Sequence, residues 1–511
     1  SGEEGARQPV ERSVYALPEL EVVATRLFGP YAVFELDAPE VRESGAEDLS
    51  EALEMVPGMV VTTSSRGEPK LSTRGLNERE LVVLIDGVPL SDPYTGSVNA
   101  RSVLGGALGT VRVTKGPAAS VYGANALGGV VEVTTLGTRA MGLSYRLAAG
   151  SDERYSGYVS GGARMGRLRL AGGVAANGGG DFSLPGEYGA EQWEDGGRRD
   201  HSASDDLFVW GTGSYSPSED VEASVSFQVS DGSREVPAQT NSDRPRFWDF
   251  PYWRESRAIG SVAWTPAAGV FLEAKAFGST NDNRLVAYRD PDRTEIQWVS
   301  TVSNRAFGGY LLADIRALAD HRLSAGLNAR RDHADLQSDT GLPWKRYEAT
   351  TFSAFGQDVI RLGSRDRVSV AANLDIMSGE DRLLASVNPQ AAWTRTFGEG
   401  MAVRLLAGLK TRFPTLKEWF SAEIGNPDLD PERCVSAEVE LSKRMPSGSG
   451  FSLLAYEQRV RDMIVSTGWG DTAENVGSVT SRGAQLGVTH RVSRSPSRDV
   501  TLDTTRPRAE E

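Results

Sequence analysis

Two hydrophobic patterns divide the chain. Over residues 41–136 the apolar positions take the spacings of a small mixed unit. Leu49, Leu53 and Val56 fall on one helix face, Ser44 and Glu47 ahead of them have capping-box spacing, and Pro57-Gly58 ends the helix. Leu81-Val82-Val83-Leu84-Ile85 is a continuous apolar run closed by Asp86-Gly87, as in a buried strand that enters a turn. Val111-Arg112-Val113-Thr114-Lys115-Gly116-Pro117 and Val130-Val131-Glu132-Val133 predict two further strands. The unit is about 95 residues long, enough for one small core.

Beyond residue 140 the period becomes two. Val221, Ala223, Val225, Phe227 and Val229 alternate with Glu222, Ser224, Ser226, Gln228 and Ser230. Leu323, Ala325, Leu327 and Ala329 alternate with Arg322, Ser324, Gly326, Asn328 and Arg330. Val435, Ala437, Val439 and Leu441 do the same with Ser436, Glu438, Glu440 and Ser442. Strict alternation puts one set of side chains on each face of a sheet. The segments run to about ten residues, longer than the usual strand, and there are about seventeen of them. Short turns join some and long polar loops join others. That combination predicts a transmembrane barrel, although a soluble sandwich or propeller shows the same alternation.

Residues 1–40 read as an extended arm punctuated by Pro18, Pro30 and Pro39, with an apolar patch at 20–26. Two long loops are expected, at 177–205 and 231–255. The first carries Asp181 and the acidic run Glu191 to Asp195; calcium binding there is weakly supported, because no ordered ligand spacing is present. The second carries Phe247, Trp248, Phe250, Tyr252 and Trp253. Aromatics at a strand end serve as an interfacial girdle or stack on a ligand, so Phe247, Trp248, Tyr252 and Trp253 are candidate ligand contacts.

Composition narrows the function classes. The 511 residues carry 55 Lys+Arg and 69 Asp+Glu, a net charge of −14. That balance argues against a nucleic-acid partner, which needs a basic surface. Cys434 is the sole cysteine, so an internal disulfide and a multi-cysteine metal site are both excluded. The four histidines form no HExxH, and neither a GxSxG elbow nor a GxxxxGK[ST] loop occurs. No catalytic residue and no protein-bound metal are therefore assigned. No run of 18 apolar residues exists, which says nothing against a membrane β-barrel.

Ordered motifs then point to one family. Glu21-Val22-Val23-Ala24-Thr25 resembles a TonB box. Pro57-Gly58-Met59-Val60-Val61, Ser72-Thr73-Arg74-Gly75 and Val83-Leu84-Ile85-Asp86-Gly87-Val88-Pro89 follow in the order of a plug domain. So do Lys115-Gly116-Pro117, Ser120-Val121-Tyr122-Gly123 and Gly128-Gly129-Val130-Val131. Later segments, Phe413-Pro414-Thr415-Leu416-Lys417-Glu418 and Asn426-Pro427-Asp428-Leu429-Asp430-Pro431-Glu432, are similar to paired motifs late in the barrels of the same family. The chain thus resembles a TonB-dependent outer-membrane receptor over nearly its whole length.

The resemblance implies a fold that is mainly β. It has a periplasmic arm at 1–40, an α/β plug at 41–136 in the lumen, and a large antiparallel transmembrane barrel at 137–511. It implies energised uptake of a scarce metal chelate or cofactor, a ferric siderophore or cobalamin, and a non-enzymatic protein without a covalent cofactor. The implied partners are TonB with its inner-membrane energising complex, outer-membrane lipid and the chelate itself. Heme fits less well, since the implied axial histidine is missing between His333 and His490. Arg74 is expected to pair with wall carboxylates such as Glu432 or Glu438, a local ion pair being the alternative. Lys115 stands where the family usually has arginine and offers only a point charge; Gln485 stands where it often has glutamate. A barrel of about 22 strands is implied against about seventeen counted. Residues 491–511 turn polar and end Arg508-Ala509-Glu510-Glu511, so C-terminal strands are expected to be missing. Two other readings are a non-transporting surface protein descended from such a receptor and a soluble β-rich hydrolase with a carboxylate pair.

Overall fold

In the computed structural model of the protein, the described residues are 33–116, 123–137, 142–316, 318–379, 382–445, 449–466 and 471–489. The TonB-box-like segment, Pro117, Tyr122 and the polar C-terminal residues lie outside them.

Among the described residues the period-two segments form one antiparallel sheet of sixteen strands, each paired with its neighbour in sequence, from Gly142–Ala149 to Glu474–Thr489. This is one strand fewer than the pattern suggested. The expected 231–255 loop is mostly strand: Val221–Val236 and Phe247–Ala267 reach far beyond the alternating core, which leaves only 237–246 between them. Aromatic and charged positions in those extensions masked the alternation.

The sheet is built inside out relative to a soluble protein. Val225, Phe227 and Val229 are 67%, 52% and 45% exposed on its outer face, whereas Gln228 and Ser230 are buried on the inner one. Val435 and Val439 are likewise outside, with Ser436, Glu438, Glu440 and Ser442 inside. An apolar exterior is what lipid requires, and neighbour-to-neighbour pairing satisfies the backbone polar groups between strands, with Gly142–Ala149 and Glu474–Thr489 at the two edges of the described sheet.

The inner face wraps the N-terminal unit. A five-stranded sheet orders Val33–Asp37, Leu108–Lys115, Gly129–Thr135, Leu81–Ile85 and Val88–Pro89, and a small three-stranded sheet contains Met59–Thr63 and Pro69–Thr73. Val33–Asp37 pairs with Leu108–Lys115, so the plug takes in residues that the sequence pattern left with the arm. Leu49, Leu53 and Val56 enter the plug core as expected. The cap, however, differs. Ser44 ends a first helix, Ala38–Ser44, and Asp48 caps the second, Leu49–Glu54, by accepting the Glu51 N–H. The 44/47 spacing lost because Gly45 takes a left-handed turn (φ 82°) and separates the two helices. Plug residues meet both ends of the wall sheet: Gly106 packs on Tyr158 near its start, and the Arg74 carbonyl accepts the Ser481 hydroxyl near its end.

Two outcomes test this arrangement. Val225→Arg is expected to destabilise the lipid-inserted protein by ~2–4 kcal/mol, measured by equilibrium folding into vesicles. Asp48 is buried, which raises its carboxyl to about 6 from 3.8 against the pull of Ser50 and Arg101. The cost of its charge is absent below pH 3.8, grows as pH rises and is complete above about 6. Asp48→Asn keeps a capping oxygen, and is expected to stabilise the plug at pH 8 by up to about 3 kcal/mol with no gain near pH 3.5, read by denaturant unfolding.

Candidate functional site

Chemistry concentrates where plug meets wall. Arg74 follows the strand Pro69–Thr73 in a left-handed conformation (φ 52°), and Gly75 after it is also left-handed. This backbone is costly for an arginine, by ~1–3 kcal/mol, and needs outside support. Three consecutive wall strands supply it. The Arg74 guanidinium donates to Glu438 Oε1 at 2.5 Å, lies 4.3 Å over the Tyr456 ring, and its carbonyl accepts Ser481 Oγ at 2.7 Å. Arg404 donates to the other Glu438 oxygen at 3.2 Å. Gly116 completes the site, because a β-carbon there would fall on Glu438 Oε1 and Arg74 Nη1.

Of the two wall carboxylates expected at this contact, Glu438 is paired with Arg74 and Glu432 is not. Glu432 accepts from Arg412 at 2.6 Å and from the Ile464 N–H at 2.8 Å. It lies six residues from Glu438 on the same strand, Glu432–Arg444, so the two glutamates face the lumen at different heights.

Asp86 and Gly87 make the predicted turn after Leu81–Ile85. The Asp86 carboxylate accepts from the Thr135 N–H and hydroxyl inside the plug and from the Gln228 amide of the wall; Lys275 donates to its carbonyl at 2.9 Å. Burial raises the Asp86 carboxyl, and these donors oppose the rise. Gly87 sits against the Lys275 ammonium with no room for a side chain. Gly123 lies beside Ser353, and Lys115 ends the strand Leu108–Lys115.

The candidate ligand aromatics take a different place. Phe247, Trp248 and Trp253 are buried to 7% exposure or less, and Trp248 and Trp253 pack with Val236, Phe250, Leu285 and Ala287. Arg66 of the plug lies over the Phe250 and Trp253 rings, at 5.2 and 5.9 Å. Tyr252 is half-buried, with Arg254 over its ring. Trp253, with Phe250, thus packs under Arg66 of the plug, whereas Phe247 packs on Trp193, Trp248 packs on Trp298 and Tyr252 stays half-buried. In the acidic loop Glu194, Asp195 and Asp200 approach one another, yet the Glu194 carboxylate already accepts from Arg199 at 2.7 Å and from two backbone N–H groups.

Other plug–wall contacts carried no sequence signal of their own. Asn304 donates to Asp92 at 2.5 Å, Ser102 donates to Glu255 at 3.2 Å, and Arg79 donates to Glu418 at 3.1 Å. The plug backbone at Asn125 donates to the Thr411 carbonyl, and its side chain accepts the Phe413 N–H. Beside them a cavity of about 220 Å³ runs between plug residues 81–96 and the wall. Glu273, Tyr310, Arg330, Asp332, Ser353 and Arg412 are among its lining residues. On the side of the long 180–203 and 413–431 connections, Lys417 sits near the positive charges of Arg66 and Arg79. Burial lowers its ammonium, Glu423 opposes this, and the two arginines lower it further.

Comparison with known proteins agrees with this layout. The TonB-dependent receptor plug domain matches residues 27–130, and the TonB-dependent receptor-like β-barrel matches 137–506. A vitamin B12 transporter, BtuB, of Vibrio vulnificus strain YJ016 is 23% identical over 485 residues, 89% of this chain and 73% of its own length. BtuB of V. vulnificus strain CMCP6 is 34% identical over 152 residues, 29% of this chain and only 25% of its own length. The ferric aerobactin receptor of Klebsiella pneumoniae is 32% identical over 147 residues, covering 26% of this chain and 19% of the receptor. In fold, the copper transporter OprC superposes with a TM-score of 0.77 at 18% identity, over 91% of this chain and 77% of its own. A sixteen-stranded wall with polar side chains turned inward onto an N-terminal α/β plug, matched along both parts, places this chain in the TonB-dependent receptor family.

Proposed function

We propose that the chain takes up a scarce metal chelate or cofactor across the outer membrane of a Gram-negative-type bacterium, by TonB-driven displacement of the plug. The observation that carries this reading is the kind of contact that holds the plug. Beside apolar contacts with Phe208, Trp210, Tyr347 and Val460 of the wall, the plug is anchored by single charged or polar pairs: Arg74–Glu438, Asp92–Asn304, Asp86–Gln228 and Arg79–Glu418. Such an interface can part while the plug keeps its core. A void of about 220 Å³ is below the ~300–1,000 Å³ of a small-molecule site, so a chelate needs the plug to move.

The wall has no energy source, so the work must come from a partner. An apolar segment such as Glu21-Val22-Val23-Ala24-Thr25 suits capture by strand addition to TonB, which its inner-membrane complex energises. A ferric siderophore is the first reading, supported by likeness to a ferric aerobactin receptor over 26% of the chain. Cobalamin is the second reading, supported by likeness to a vitamin B12 transporter over 89% of the chain.

Deletion of residues 20–26 is expected to abolish energised uptake of a siderophore or cobalamin in a receptor-deficient strain while leaving surface binding intact. Uptake that survives the deletion would sink the transport reading. Arg74→Ala leaves a buried carboxylate short of one partner, at a cost of about 3–5 kcal/mol. It should lower the urea concentration at which plug residues become protease-sensitive, and Arg74→Lys should restore only part of the loss.

A further inference from the structure

The Arg74 contact is not the only buried charge group between plug and wall. Glu80 belongs to the plug turn Glu78–Glu80, directly before the strand Leu81–Ile85. On the wall, Arg412 ends the strand Met401–Arg412, and Glu418 lies in the short helix Leu416–Phe420 of the long 413–431 connection. Glu432 begins the next strand. Arg412 donates to Glu418 at 2.9 Å and to Glu432 at 2.6 Å, and its Nε faces Glu80 at 3.9 Å without a hydrogen bond of its own. Arg79 of the plug reaches the other Glu418 oxygen. The side chains of Glu80, Arg412, Glu418 and Glu432 are all 3% exposed or less. Glu80 facing Arg412 reverses the polarity of the Arg74 contact, with the carboxylate on the plug and the arginine on the wall, while Arg79–Glu418 keeps it.

Charge counting makes the group unbalanced. Three carboxylates face two guanidiniums, and Arg79 is half in solvent. We propose that Glu80, Arg412, Glu418 and Glu432 form a second, proton-sensitive latch through which the 413–431 segment positions the plug. The latch holds the plug most firmly when Glu80 carries a proton, because the group is then neutral. The proposal rests on the reading that the plug must leave the wall during uptake. Several observations converge on it. Burial raises the Glu80 carboxyl to about 7 from 4.5, Arg412 opposes the rise and Glu432 adds to it. On the Glu418 carboxyl the pull of Arg412 and Arg79 outweighs burial and holds it down to about 2, so Glu418 stays ionised over the range in which Glu80 titrates. From its own element Glu80 accepts the Asn77 N–H at 2.7 Å, and from the wall the Cys434 thiol also lies within its field. The cavity borders Arg79, Leu81, Arg412 and residues 413–416, which gives this corner room to move.

The sign follows from linkage. A released Glu80 titrates near 4.5 and a docked one near 7, so docking binds a proton and weakens as pH rises between those values. Hydrogen exchange of plug residues 76–85 in the purified full chain, corrected for the intrinsic rate, tests it. Protection is expected to fall by about tenfold from pH 6 to pH 8. Glu80→Gln should remain near the acid-side protection across that range, whereas Glu35→Gln, at an exposed plug pair with Arg112, should keep the wild-type slope. If Glu80→Gln does not fold, Glu432→Gln carries the test, since removal of that neighbouring charge should move the transition to lower pH. A flat wild-type profile, a slope kept by Glu80→Gln, or an unmoved transition in Glu432→Gln overturns the latch. None of these readings involves uptake, so they leave the transport proposal standing, and loss of uptake with an intact pH profile does the reverse.

Discussion

A wall with an apolar exterior turns its polar side chains inward, and those groups must find partners away from lipid. Everything else in this structure depends on that constraint. Gln228, Lys275, Asn304, Arg404, Arg412, Glu432 and Glu438 are nearly or fully buried on the inner face. Several are satisfied only by the plug or by one another. The plug therefore supplies hydrogen-bond partners to several of these wall groups, among them Glu438, Gln228, Lys275 and Asn304.

The same constraint explains why charged contacts stand beside apolar ones between plug and wall. Apolar burial is non-directional and spread over area, whereas a few charged contacts in fixed geometry concentrate the holding energy at points. Arg74 is the extreme case: its backbone conformation, its glycine neighbour at 116 and its three wall partners make sense only when the plug is docked. The Glu80 group lies beside the 413–431 connection, so two charged holds stand at different heights in one lumen.

Much of the site was legible where one residue has one possible use. Asp86-Gly87 had to be a turn, and Gly75 and Gly116 mark left-handed backbone. The packing of the candidate ligand aromatics was not legible, for a physical reason. A ring at a strand end is equally suited to a girdle, a ligand or a core, and only the approach of Arg66 from a segment about 180 residues earlier selects the core. Glu80 and Arg412 were invisible because each is an ordinary charge in its own segment.

By itself the sequence determined the two-part architecture. Period two over long segments requires a sheet with unlike faces, and the plug's helix and strand spacings require a separate small core. It also determined, through ordered motifs, the family. The tertiary structure decided which face of the sheet meets lipid, that the wall strands number sixteen among the described residues, and that Val33–Asp37 joins the plug. It also decided that Glu438 and not Glu432 receives Arg74. Those outcomes depend on contacts hundreds of residues apart, such as 74 with 438, and a periodicity read along the chain carries no information about which distant charge will stand opposite.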